Sequence, residues 1–251
     1  MKKHISKILL AGIIAAPAAQ ADVIGFEVGG YTWNPEYTGS FTTNGGGIAG
    51  TAIDVQNDLG YKDDDHNITW LSLEHPAPAI PNFKVVISDL ATSGTSTLGV
   101  PLNFAGQTYT TGETVSSTFD MSNTEYTIYY ELLDNWVNFD FGITFRQYDG
   151  EVALATDPAG SNINASYALD FMVPLLYAKA RFDLPFSGFF ADAEINTLSV
   201  ATDMSYSLGY ESDFGFGAKL GYRTFTLELE EKPFFSDLEF KGSYVSVFYH
   251  F

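Results

Sequence analysis

Residues 137–146 alternate without an error. Val137, Phe139, Phe141, Ile143 and Phe145 are apolar, and Asn138, Asp140, Gly142, Thr144 and Arg146 are polar or small. A β-strand sends successive side chains to opposite faces, so this segment is a strand with one oily side and one wet side. Its length is about that of a tilted strand crossing a bilayer. A strand of a water-soluble sandwich alternates in the same way. The pattern fixes the element, and other parts of the chain must name the solvent on each side.

The C-terminal segment repeats the pattern. Val245, Val247, Tyr249 and Phe251 share one parity, with Tyr244, Ser246 and His250 behind them. Chain ends usually fray into water, so a soluble protein seldom closes on its greasiest strand. Here the chain resembles bacterial outer-membrane barrels, which end on Phe with apolar or aromatic residues at every second position before it. The resemblance implies that Val245, Val247, Tyr249 and Phe251 form the closing strand and the signal read by the barrel-assembly machinery. The competing reading is the edge strand of a soluble β-sandwich.

The N-terminus bears on the choice. Lys2, Lys3 and Lys7 precede a short apolar run from Ile8 to Ile14, Pro17 breaks it, and Ala19-Gln20-Ala21 is a small-x-small site. These are the parts of a secretory signal peptide. The expected domain plan is a signal over 1–21, with Ala19 and Ala21 as the small residues of a single cleavage site, a mature start at Asp22 and one β-barrel domain over 22–251. The run is too short to span a membrane as a helix. The chain has no cysteine, which excludes a lipoprotein anchor and disulfide bracing.

Cleavage would remove three of the 12 basic residues and none of the 31 acidic ones, taking the formal charge from −19 to −22. So acidic a chain repels nucleic acid, and no polynucleotide partner is expected. Aromatic residues make up 16% of the sequence, which suits the aromatic girdles of a membrane barrel. The expected fold is all-β: a transmembrane, up-and-down antiparallel β-barrel of ten strands, with short periplasmic turns and longer extracellular loops. Strands are expected near 23–37, 67–75, 83–90, 119–133, 137–146, 166–184, 189–198, 202–211, 214–230 and 237–251. The 189–198 segment is weakly patterned; without it the count falls to eight.

Two places ask for irregularity. Between 166 and 184 the apolar parity is odd up to Val173 and even from Leu176. A β-bulge at Pro174, which cannot donate to a ladder, would reconcile the halves. Outer loops are expected at 38–65 and 91–118, with a third marked by Asp149-Gly150 and Asp157-Pro158 and a short one at 231–236. Asp134-Asn135 reads as a hairpin turn.

Charges collect on the polar parity. Glu27, Glu131, Asp140, Arg146, Lys179, Arg181, Asp183, Lys219 and Arg223 all point to the expected lumen. A lysine or arginine on the lipid face costs about 2–4 kcal/mol at the midplane, and a buried charge must be paired. A salt-bridge network filling a narrow lumen follows. Catalytic signals are weak. Glu74 and His75 are adjacent and so face opposite ways, and His66 has acids and serines nearby but no nucleophile motif. The acids of 54–65 miss calcium-loop spacing and read as a solvated loop. No catalytic residue, cofactor or metal site is expected.

The glycine- and Trp-containing first strand, Glu74-His75-Pro76 with Pro81-Asn82, Leu184-Pro185 with Gly188, Gly221-Tyr222-Arg223 and the final Phe251 together resemble a family of small outer-membrane β-barrel proteins of Gram-negative bacteria. That family has no assigned biochemical activity, so no site residue carries over. The resemblance implies an outer-membrane location after export, contact with outer-membrane lipids and lipopolysaccharide, and handling by periplasmic chaperones and the barrel-assembly machinery. The ligand is unknown. Three functions are consistent with it: a structural barrel with slow passage of small solutes, a surface interaction protein acting through loops 38–65 and 91–118, and a lipid-modifying enzyme.

Overall fold

The computed structural model describes residues 25–251 except 78, 134–135, 157–161 and 232. The cleavage residues Ala19, Ala21 and Asp22 and the turns at 134–135 and 157–160 lie outside the described residues. Fifteen strands follow in order: β1 Gly25–Thr43, β2 Ile53–Asp54, β3 His66–Glu74, β4 Asn82–Asp89, β5 Ala91–Thr97, β6 Leu102–Phe104, β7 Gln107–Tyr109, β8 Thr114–Asp120, β9 Asn123–Leu133, β10 Val137–Thr156, β11 Asn164–Asp183, β12 Phe189–Leu198, β13 Ala201–Glu211, β14 Phe216–Glu231 and β15 Phe234–His250. Ten form a closed antiparallel ring, β1-β3-β4-β9-β10-β11-β12-β13-β14-β15, and β15 pairs back onto β1 from Glu27↔His250 to Thr43↔Phe234. The weakly patterned 189–198 segment is a full member of the ring. β5 and β8 prolong β4 and β9 above the ring, with β8 continuing the register of β9 on β10 and β5 pairing with β8.

The start of β1 and the C-terminus lie at one end, where Phe26 and Phe251 exchange backbone hydrogen bonds. The other end, called the loop end below, carries residues 44–65 and 98–113. Several boundaries differ from the sequence reading. β1 continues to Thr43 because Tyr37, Phe41 and Thr43 keep facing inward past Thr38. Gly39 adopts φ 101° there and lets the strand pass close to Asp237. Asp149-Gly150 is not a turn. It sits inside β10, where Gly150 lets the backbone of Asp120 approach. The 231–236 segment is mostly strand, since β14 and β15 run to Glu231 and from Phe234. The 91–118 stretch is not an irregular loop but carries four strands.

Pro174 carries no bulge. β10 and β11 hold one register throughout, with Phe145↔Pro174 and Tyr148↔Phe171. The parity change has another cause: the barrel inverts its chemistry at this level. Below it, toward the termini, Leu176, Ala178 and Phe182 face outward and Tyr177, Lys179 and Arg181 inward. Above it, Ser166, Asp170 and Met172 face outward and Tyr167, Leu169 and Val173 inward. β10 inverts in step. Phe141, Ile143 and Phe145 are outward below, Gln147, Asp149 and Glu151 outward above, and Tyr148, Val152 and Leu154 are buried inside above. β14 and β15 do the same around Arg223 and Gly242.

Candidate functional site

The interior has three layers. The layer at the loop end is an apolar cap. Residues 44–65 fold inward rather than out into solvent, burying Ile53, Val55, Leu59 and Tyr61, and the β6–β7 hairpin buries Leu102, Phe104 and Tyr109. Phe41 is their hub, stacking on Phe119 at 5.7 Å and Phe234 at 6.0 Å and meeting Phe104 edge-on at 6.1 Å. Backbone bonds clasp hairpin to loop: Thr51 N–H donates to the Asn103 carbonyl and Ala105 N–H to the Thr43 carbonyl. Tyr109 donates its hydroxyl to the Leu154 carbonyl at 3.0 Å. Burial pushes the Tyr61 and Tyr109 phenols up to about 12. The acids of the loop serve its own turn. Asp54 accepts from the Gln56 and Asn57 amides, and Asp58 from the Asp54 amide.

His66 is buried beneath this cap. One ring nitrogen meets the Tyr37 hydroxyl and Nδ1 lies 3.2 Å from the Asp89 carbonyl. Both nitrogens are thus engaged in fixing the wall.

The middle layer is ionic and sits at the level of inversion. Arg146, 1% exposed, contacts Glu125 at 2.9 Å and Asp203 at 2.6 Å. Arg223 grips Asp203 with two nitrogens, Nε at 2.8 Å and Nη2 at 2.6 Å, and donates to the Tyr31 hydroxyl at 2.7 Å. The Trp33 ring lies 4.6 Å from the Arg223 guanidinium, and Phe225 lies 5.1 Å from that of Arg146. Two arginines and two carboxylates form a neutral tetrad across the lumen, drawn from β9, β10, β13 and β14. The forked geometry of arginine suits such multiple pairing.

The layer at the terminal end is charged and holds cavities with room for several waters. One of ≈ 80 Å³ is lined by Glu27, Lys84, Lys179, Asp192, Glu194 and Lys219 among others. A second of ≈ 60 Å³ shares Glu27, Ser72 and Lys179 with it and adds Glu74, Glu131, Asp140 and Arg181. Lys84 pairs with Glu194 at 2.7 Å, Lys219 with Asp192 at 3.3 Å, and Arg181 with Asp183 at 2.8 Å and Glu211 at 2.7 Å. Glu27 accepts from Trp70 Nε1 at 2.9 Å, and Glu74 from Tyr129 at 2.8 Å. The ladder sets Lys179 between Asp140 and Glu194, and Asp140 beside Glu131. Of the nine charged residues singled out in the sequence, Glu27, Glu131, Asp140, Lys179, Arg181, Lys219 and Arg223 line these cavities, Arg146 shares Asp203 with Arg223, and Asp183 pairs with Arg181 with its side chain 36% exposed. Arg146 and Arg223 belong to the tetrad and the others to the lower layer. Sequence reasoning missed their main partners. Glu125 continues the inward parity of Thr127 and Tyr129, and Asp203 that of Ser205 and Ser207, so both were within reach. Lys84 lies in a segment that is apolar on both sides of it, which hid its facing.

Inward glycines are the other missed device. Gly29, Gly209, Gly217 and Gly221 each lie under an aromatic ring from the adjoining strand: Trp70, Phe190, Phe248 and Tyr244. Any side chain at these positions would occupy the space of the ring.

Outside, Val245, Val247 and Tyr249 join the apolar belt, and Phe251 packs on Phe26 at 5.8 Å and on Tyr249 at 5.0 Å. His75, beside Glu74, points to the Pro81 carbonyl instead and fixes the turn.

No family description matches this chain, and no curated protein does. Solved barrels do. The monoaromatic hydrocarbon channel CymD is 11% identical, with 85% of this chain covered and a TM-score of 0.37; this chain spans 56% of it. The Pseudomonas putida toluene transporter TodX is 7% identical over 92% of this chain and 90% of its own, with a TM-score of 0.38. The transport unit of the autotransporter AIDA-I from Escherichia coli is 8% identical over 94% and 92%, with a TM-score of 0.39. These are similarities of barrel wall alone.

Proposed function

We propose that the protein is an integral outer-membrane barrel with a sealed lumen, acting as a rigid platform that presents its capped end outside the cell. The apolar belt supports the membrane setting. On β10 it runs from Val137 to Phe145. Nine residues at about 3.4 Å each, tilted about 40°, rise roughly 23 Å, close to the apolar band of about 25 Å on known barrels. The end that holds Gly25 and Phe251 then lies in the periplasm and the cap outside, where polar outward residues replace the belt.

The observation that carries the reading is the cap. An apolar core continuous from wall to loops, above a neutral ionic layer, leaves only scattered buried hydroxyls such as Thr43, Thr92 and Ser117 at that level, and no continuous polar path for a hydrated solute. A structural or surface role therefore fits better than the passage of solutes, and His66, held on both sides, offers no catalytic base. Planar-bilayer recording of the purified full barrel tests this: the expected result is no steady conductance, and a persistent open channel would overturn the sealed-lumen reading. Loss of solubility on removing detergent is the matching expectation for the belt.

A further inference from the structure

Above the bilayer belt the barrel wall has a seam. β3 begins only at His66, so the upper part of β1 has no β3 neighbour, and β5, prolonging β4, ends the sheet with one side unpaired. The even residues of β5 face its partner β8: the Gly94 carbonyl accepts from Ser117, and just before the strand the Leu90 carbonyl accepts from Met121. The odd residues therefore turn their backbone groups to the other side, and the Thr95 carbonyl lies beside Gly60. Residues 58–61 pack against this strand, where the Ser96 hydroxyl donates to the Asp58 carbonyl and Leu59 and Tyr61 lie against Gly94, while residues 60–64 run past its outer edge without pairing to it. Among the described residues no backbone hydrogen bond joins them to Ser93 or Thr95, and a cleft of ≈ 280 Å³ separates the two, lined by Gly60, Lys62, Asp63, Asp64 and residues 92–95.

Exposed edges are normally guarded by charged residues, proline or bulges. β5, Ala91-Thr92-Ser93-Gly94-Thr95-Ser96-Thr97, has no charge and no proline. Its facing wall carries two exposed acids, Asp63 and Asp64, against the single Lys62, on a chain of strong negative charge. We infer that the free edge of β5 is a docking site for an extended basic segment of another polypeptide, which adds to the sheet as a strand and sets its cationic side chains against Asp63 and Asp64. Strand addition supplies the backbone bonds and the acidic wall selects the partner. A second copy of this chain does not fit. Two barrels in one membrane share orientation, so equally tilted strands on facing walls cross rather than align, and both copies are acidic.

This inference rests on the platform reading, but its test is independent of conductance. The full barrel in detergent micelles is titrated with a fluorescent eight-residue peptide alternating Lys and Thr. Controls are the Glu/Thr counterpart and the Lys/Thr peptide N-methylated at every second residue on one edge or on the other. The Lys/Thr peptide is expected to bind, the Glu/Thr peptide at least about tenfold more weakly, and methylation of one edge to abolish binding while the other is tolerated. Thr95→Pro, which removes a groove-facing N–H and no ladder bond, is expected to weaken binding about tenfold, and Asp63→Asn with Asp64→Asn severalfold with loss of salt dependence. Equal binding of all peptides, equal effects of the two methylation patterns, no binding at all, or concentration-dependent dimerisation through this edge would each overturn the proposal. The methylated peptides decide the matter even if Thr95→Pro does not fold.

Discussion

Arg146→Met isolates what the ionic tetrad contributes. Methionine keeps much of the arginine stem and removes the guanidinium, which leaves Glu125 buried without its contact at 2.9 Å while Asp203 keeps Arg223. Removing one partner of a buried pair costs about 3–5 kcal/mol, because the stranded charge keeps its desolvation penalty. Asp203 is still gripped twice, so nearly all of that cost should come from Glu125. Adding Glu125→Gln removes the stranded charge and should recover at least about half of the loss, a coupling of roughly 2 kcal/mol in a double-mutant cycle. Urea unfolding in micelles, followed by tryptophan fluorescence, reads all four proteins, since Trp33 lies against Arg223. If Arg146→Met alone cost under about 1 kcal/mol, or if the double variant were no more stable than the single one, the ionic layer would be solvated and the sealed-lumen argument would lose its floor.

Three further expectations concern the cap and wall. Phe104→Asp puts a charge among Phe41 and its neighbours and should cost about 3–5 kcal/mol of cap docking; limited proteolysis should then cut within 44–65 and 98–113 while the ring stays intact. Because the Tyr61 and Tyr109 phenols are held up to about 12 against about 10 in an unfolded chain, their contribution is fully present below pH 10 and is lost as pH rises toward 12; tyrosinate absorbance should lag in the intact barrel, and a normal titration of every tyrosine would refute the buried cap. Gly221→Val forces a side chain into the space of the Tyr244 ring and should cost about 1–3 kcal/mol in thermal unfolding, relieved by Tyr244→Ala.

The ring of ten strands was legible because a period of two survives whatever solvent lies on each side. Val137 to Arg146 announced both the element and its facing. The same property hid the inversion: alternation reports that two faces differ, not which of them is oily inside. On β11 the apolar residues swap faces at Pro174, and a sequence read with one assumed polarity turns that swap into a bulge. The cap was hidden for a related reason. Ile53, Val55 and Leu59 sit among Gly, Asp and Asn, a composition that reads as solvent-exposed loop, and their burial depends on Phe41, Phe104 and Phe119 arriving from distant parts of the chain. Lumen charges were visible by parity, but their pairings depend on which strands face each other across the barrel, and local spacing carries no such information.

The oily cluster at the loop end draws on both extremities of the polypeptide. Tyr37 and Phe41 come from the first strand, Phe234, Leu238 and Phe240 from the last, and Tyr37 meets Phe240 at 5.0 Å. Closure of the wall and condensation of this cluster are therefore one event, like a drawstring pulled tight on the water side of the bilayer. A chain stalled before its final hairpin would hold half of that cluster open to water, a ready mark by which quality-control proteases could tell unfinished barrels from finished ones.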